Sequence, residues 1–222
     1  MPYSSIYPRP SRLKLRWRGI ITGIQPRIRL MRSFDERSHS YLGYALHLFG
    51  TVDGVERDFS VGIGKGAQEK FLFQAGDQVS GNAVPVMDER LEPVELYKAS
   101  ALVLHERTPE PPAEVTSGPP WHGPPPQLEI YRQRGHRRLD PRTYDNKCTT
   151  CKWGCCMPVE IVPDNWNPVV TKYRFETFCY GPKSCSRYRA GATRKAPGRG
   201  GIIWEEEDWV DEDATAHRGP DE

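Results

Sequence analysis

Tyr41-Leu-Gly-Tyr-Ala-Leu-His-Leu-Phe-Gly-Thr-Val52, then Asp53-Gly54, then Val55-Glu-Arg-Asp-Phe-Ser-Val-Gly-Ile-Gly64 decides the fold. Asp-Gly between two alternating apolar runs favours a two-residue type I′ turn, because both central residues must reach positive φ. That turn sets the register: Val52 faces Val55, Leu48 faces Phe59, Leu46 faces Val61 and Tyr44 faces Ile63. One face of the hairpin becomes almost wholly apolar. The other carries Ala45, His47, Phe49, Glu56, Asp58 and Ser60. A slip of one residue would mix the two sets, so the pattern itself pins the pairing. His47 is expected at the surface.

Upstream, Leu13–Met31 is strand-like but interrupted by Gly19, Gly23 and Pro26, as a bent or bulged strand requires. Downstream, Gly66–Phe73 suits a short helix, and Gln78–Val86 and Leu96–Leu104 suit two more strands. A bent long strand, a hairpin, a helix and two strands resemble an OB-fold, the five-stranded Greek-key barrel with its helix between strands three and four. The resemblance covers residues 12–107 and rests on pattern. An SH3-like or other small barrel is the rival. Gly62-Ile63-Gly64-Lys65-Gly66 lacks the spacing of a P-loop and is expected to be a strand-to-helix turn.

The composition bounds the rest. The chain has 222 residues, with 21 Pro, 20 Gly and six Cys, and a mean hydropathy of −0.68. That suits one or two small domains. No apolar run approaches the roughly 20 residues of a membrane span, and the basic N-terminus has no apolar stretch behind it. A cytoplasmic protein is expected, and in that reducing compartment cysteines serve as metal ligands or redox groups more often than as disulfides.

The chain divides into a barrel over 12–107, a Pro-rich linker over 108–126, a basic cysteine module over 127–203 and an acidic tail over 204–222. The linker is expected to be extended and solvated. The module has 15 Lys/Arg against 6 Asp/Glu, net +9, and the tail has 1 Arg against 9 Asp/Glu, net −8. Glu205–Asp213 is therefore expected to fold back on the cations flanking the cysteines. The alternative is a solvated, partly disordered end.

Cys148-Thr-Thr-Cys151-Lys-Trp-Gly resembles a zinc knuckle, since two intervening residues let both sulfurs converge on one ion. Cys179 and Cys185, five residues apart across a Gly-Pro turn, supply a second pair. Together they are similar to a divergent zinc ribbon, with strands at Val159–Val162 and Tyr173–Phe178. That resemblance implies a closed, structural Zn2+ site. Cys155 extends the first pair to Cys148-x2-Cys151-x3-Cys155, a set that suits an iron–sulfur cluster as the alternative. The overall expectation is a mainly β chain: a small OB-like barrel, a small metal-stabilised module and an acidic tail.

Cations and aromatics point to RNA or single-stranded DNA. Lys14, Arg16 and Arg18 alternate along the first strand, and Arg27, Arg29 and Arg32 follow. Arg132, Arg134, Arg137, Arg138, Lys183, Arg187 and Arg189 flank the cysteines among interleaved Tyr and Trp, a composition that holds phosphates and stacks on bases. Glu56 and Asp58 argue the other way, lying where a phosphate backbone would pass. No catalytic residue is identified: no Ser/His/Asp set, P-loop or dinucleotide fingerprint is present. A protein–protein adaptor or assembly subunit and an iron–sulfur electron-transfer or catalytic component remain the alternative functions.

Overall fold

The computed structural model describes residues 13–33, 37–107, 109, 118–167, 169–206 and 209–219, the side chain of Trp209 excepted. The chain is mainly β, built on one large sheet. Its strands are β1 (Leu15–Arg32), β2 (Arg37–Val52), β3 (Val55–Ile63), β4 (Gln78–Pro85), β5 (Leu96–Glu106), β6 (Arg137–Arg138), β7 (Gly154–Ile161) and β8 (Lys172–Cys179). A two-stranded sheet adds β9 (Arg194–Pro197) and β10 (Ile203–Glu206). The helices are α1 (Lys65–Phe71), α2 (Leu128–Arg134) and α3 (Trp209–Thr215), with further helical turns over Pro141–Cys148.

The hairpin forms as its pattern requires. Asp53 and Gly54 take φ of 46° and 84°, and the four expected cross-strand pairs are present. Their apolar face packs into the core: Tyr44, Leu46, Leu48, Val52, Phe59, Val61 and Ile63 are all buried. β1 is a bulged strand, with register shifts against β2 between Ile21 and Gly23 and between Arg27 and Ile28. Two bulges let it curve enough to pair with β2 along its whole length and with β4 along its first third. β3 pairs with β5, and β5 with β4, so the five strands close on themselves in the order β1-β2-β3-β5-β4-β1.

The expected boundary between barrel and cysteine module does not separate two cores. The C-terminal end of β1 continues into a parallel pairing with β7, Leu30 to Val159 through Arg32 to Ile161. Cys155, Met157, Val159 and Phe178 join Ile24, Ile28 and Leu30 in one buried cluster, along with Leu128 and Tyr131 of α2. The physical reason lies in β1 itself. Its second half is apolar on its inward side and too long for a five-stranded ring to cover. The linker also departs from expectation over 118–126. Pro125 is buried and Trp121 half-buried, Trp121 O accepts from Lys152 N, and Pro126 O accepts from Tyr44 Oη. Residues 110–117 lie outside the described residues.

The tail is folded where described. Glu206 reaches Arg32 Nη1 at 2.5 Å and also pairs with Arg37, Glu205 reaches Lys195 at 2.6 Å, and Asp211 reaches Arg138 Nε at 3.0 Å. Glu176 of β8 is buried among Arg32 (3.2 Å), Arg174 (2.6 Å) and Arg194 (3.1 Å). β1, β8, β9 and β10 are thus tied through one buried ionic network. Such pairs are costly to break singly, because the surviving charge is left buried and alone.

Beside this network His39 and His136 sit with ring centroids 5.0 Å apart. Burial lowers His39 to about 4, with Arg37 and Arg32 adding to the effect. Burial also holds His136 well below the ordinary range, with His39 and Arg194 contributing. Both rings are neutral in the fold and take up protons near pH 6.5 once unfolded. The unfolded state therefore binds more protons below that value, and stability falls as pH drops from about 6.5 towards 4. Replacing His136 with Phe should flatten this dependence in urea titrations across that window; an unchanged slope would count against buried neutral histidines here. A second expectation follows from the shared core. Far-UV circular dichroism and tryptophan fluorescence should report one coincident unfolding transition, and two separated transitions would contradict it.

Candidate metal centre and barrel surface

Four cysteines face one small cavity of about 20 Å3. Cys148 and Cys151 come from the end of the helical turns, Cys179 from the last residue of β8, and Cys185 from the turn beyond it. Trp121, Trp153 and Tyr188 complete its walls. All six cysteines are free thiols. Burial pushes Cys148 up to about 12, and its neighbours Cys151, Cys179 and Cys185 push the same way. Burial also raises Cys151 and Cys179, opposed by backbone N–H groups directed at the sulfurs: Trp153 and Trp121 at Cys151, and Gly181 at Cys179, 3.4 Å away. Amides aimed at sulfur favour the thiolate that a metal needs. Among the described residues, no three or more His, Cys, Asp or Glu side chains stand gathered as a metal-binding group. The four thiols share a cavity without closing to ligand spacing.

Cys155 lies elsewhere. It is wholly buried in the main core, and its Sγ donates to Pro26 O at 3.3 Å. Cys156, one residue on, points to the opposite side of β7, where it packs near Tyr144 and Leu139.

The Cys148–Cys151 turn is seated on β1 by a residue that carries no sequence signal. Gln25, on β1 and buried, donates through Nε2 to Cys148 O at 2.7 Å and Cys151 O at 3.1 Å, and its Oε1 accepts from Tyr144 Oη at 2.6 Å. One side-chain amide thus satisfies three groups of the turn. Two residues earlier, Gly23 allows the contact: a Cβ there would stand 2.7 Å from Thr150 Cα. The first β1 bulge brings these two positions under the turn.

The cations divide into two groups. Arg134 donates to Tyr180 O at 2.8 Å and lies over the Trp153 ring. Arg137 donates to Pro182 O at 2.8 Å and lies over Tyr188. Arg138 is buried against Asp211, Lys183 donates to Arg218 O at 3.1 Å, and Arg132 lies over Tyr41. Arg27 and Arg29 pair with Glu92, and Arg32 belongs to the buried network. These side chains build the fold. The exposed set is smaller: Lys14 just before β1, Arg16 and Arg18 on β1, and Arg187 and Arg189 beyond Cys185. Lys14 and Arg18 make only polar surface contacts, to Ser100 Oγ at 3.3 Å and Gln78 Oε1 at 3.1 Å. On the same outer face, exposed Ile20 stands opposite exposed Phe49. Most of the interleaved aromatics are core: Tyr131 and Tyr180 are fully buried.

His47 is not the surface residue expected. The Thr149-Thr150 turn stands over the outer face of β2, and His47 Nε2 is buried there with no partner. Among the described residues no helix is long and apolar enough to cross a membrane. No protein-family model matches the chain, and no curated protein or solved structure is detectably similar to it.

Replacing Gln25 with Leu keeps the volume and removes all three hydrogen bonds. Tyr144 Oη is then buried without its partner, and the expected loss is about 1–3 kcal/mol. Urea unfolding measures it; a change under about 0.5 kcal/mol would mean that the turn is seated by other contacts.

Proposed function

We propose that the chain is a non-enzymatic nucleic-acid-binding protein that takes RNA or single-stranded DNA along the outer face of an OB-like barrel. The observation that carries this reading is the exposed row Lys14, Arg16 and Arg18 beside exposed Ile20 and Phe49. Cations at alternate positions track a phosphate backbone, and a flat apolar surface beside them offers bases a place to stack. The closed strand order and the position of α1 between β3 and β4 support the OB-like reading.

The same proposal gives the cysteine turn a structural Zn2+ ion held by Cys148, Cys151, Cys179 and Cys185. Four sulfur donors on one cavity suit zinc in kind and number. A cavity of about 20 Å3 has room for roughly one water-sized sphere, which favours one ion over an iron–sulfur cluster. The placement of Cys155 away from the cavity points the same way. When bound, zinc cross-links two distant chain segments and adds folding free energy. Reduced thiols of this kind suit a cytoplasmic setting.

A protein partner is the second reading. It rests on Ile202, Ile203 and Trp204, which are exposed together at β10.

Two measurements test the proposal. Fluorescence anisotropy with a labelled single-stranded oligonucleotide should show salt-dependent binding. In the double variant Arg16→Glu, Arg18→Glu, the slope of log affinity against log salt should fall by about 0.7 for each phosphate that is no longer neutralised. Absence of binding at low salt would leave the protein-partner reading. Metal analysis of protein purified without oxygen should find zinc, and Cys179→Ser should lower both zinc content and thermal stability. Brown protein containing iron and sulfide would overturn the zinc assignment.

A further inference from the structure

The outer row of β1 does not end at Ile20. Its next outward residue, Thr22, opens into a cleft of about 460 Å3 between the outer face of the hairpin and the cysteine turn. That volume lies within the roughly 300–1,000 Å3 of small-molecule sites. The cleft is lined by Thr22, His47, Asp58, Ser60, Glu95 and Thr150, among others. Phe49 stands at its edge, cross-strand from both Ile20 and Asp58.

Two features give the cleft a chemical preference. Its carboxylates are Asp58 and Glu95, and Glu95 is already paired with Arg57 at 2.6 Å. Asp58 therefore offers the acceptor best placed for a ligand. His47 lines the cleft with its Nε2 closed off from solvent, and burial lowers it to about 4, so the ring is a neutral wall near pH 7. A free carboxylate beside a neutral wall matches an exocyclic amine.

We propose that this cleft is a base-selective subsite that takes a cytosine, or another base presenting an exocyclic amine, at the end of the phosphate track. The proposal rests on the nucleic-acid reading above. The cytosine N4 amine donates to the Asp58 carboxylate. The base edge enters past Phe49 while Arg16 and Arg18 hold the phosphates behind it. Thymine and uracil carry a carbonyl oxygen at position 4, which sets acceptor against acceptor at Asp58. The carboxylate on the hairpin's outer face, which argues against a phosphate path there, thereby acquires a role as a base reader. Thr149 and Thr150 form the opposite wall, so the cysteine turn seated by Gln25 also shapes the subsite.

The test is a competition titration of full-length protein with deoxycytidine and deoxythymidine oligonucleotides of about ten residues. The deoxycytidine strand is expected to bind about tenfold more tightly. Asp58→Asn should bring the two affinities together, since its amide can face either base, with the folded state verified by an unchanged melting temperature. The variant Arg16→Glu, Arg18→Glu should weaken both strands equally and keep the preference. If both strands bind equally to the natural protein, or if the preference survives Asp58→Asn, the subsite is wrong while the barrel reading stands. If neither strand binds at low salt, the barrel reading falls and the subsite with it.

Discussion

The seat of the Tyr144–Cys151 segment on β1 depends on how one buried amide meets one turn. Gln25 has three polar groups of the Tyr144–Cys151 segment in reach of its side chain, and the protein provides that geometry by bulging β1 two positions earlier. A buried side-chain amide is tolerated only when its donors and acceptor are satisfied. The requirement is reciprocal: Gln25 needs the turn as much as the turn needs Gln25. Gly23 fixes the approach distance. The result is a cysteine segment that shares a core with β1–β5, when its size and polarity suggest a tethered appendage.

β1 is the spine of this arrangement. Its 18 residues pair with β2, β4 and β7, and its inward side runs through the middle of the main core. At its C-terminal end it hands over from apolar packing to charge. Arg32 is buried between Glu176 and Glu206, which draws the acidic tail and the basic module onto the sheet. The opposite local charges thus have a structural use. Several of the cations that suggest nucleic acid are committed to carbonyls, carboxylates or rings within the fold, which leaves a narrower exposed strip on the barrel.

Local pairing was legible in the sequence, and long-range docking was not. The Asp53-Gly54 turn and the alternation on either side of it dictate a register that the structure reproduces pair by pair. The interruptions at Gly19, Gly23 and Pro26 correctly signal a bent strand. The Cys148-x2-Cys151 spacing signals a tight turn, while the meeting of that turn with Cys179 and Cys185 at one cavity needs the pairing of β7 with β8. Gln25 and Tyr144 are ordinary residues whose role exists only once segments 119 residues apart are packed together, and Trp121 gains its role only against Lys152. A glycine at 23 signals a close approach but not its partner. The burial of His47 Nε2 depends on the Thr149-Thr150 turn arriving over it, and the proline-rich stretch conceals a segment, 118–126, whose Pro119, Pro120 and Trp121 form part of the wall of the cysteine cavity.

The central claim is that the cysteine turn and the sheet built on β1 form one cooperative unit joined at Gln25. Amide hydrogen exchange of the natural protein and of Gln25→Leu tests it most directly. The account requires protection to fall in the cysteine segment and, with it, in the β1 amides from Ile21 to Ile28. Loss of protection confined to residues beyond 140, with β1 unchanged, would contradict it.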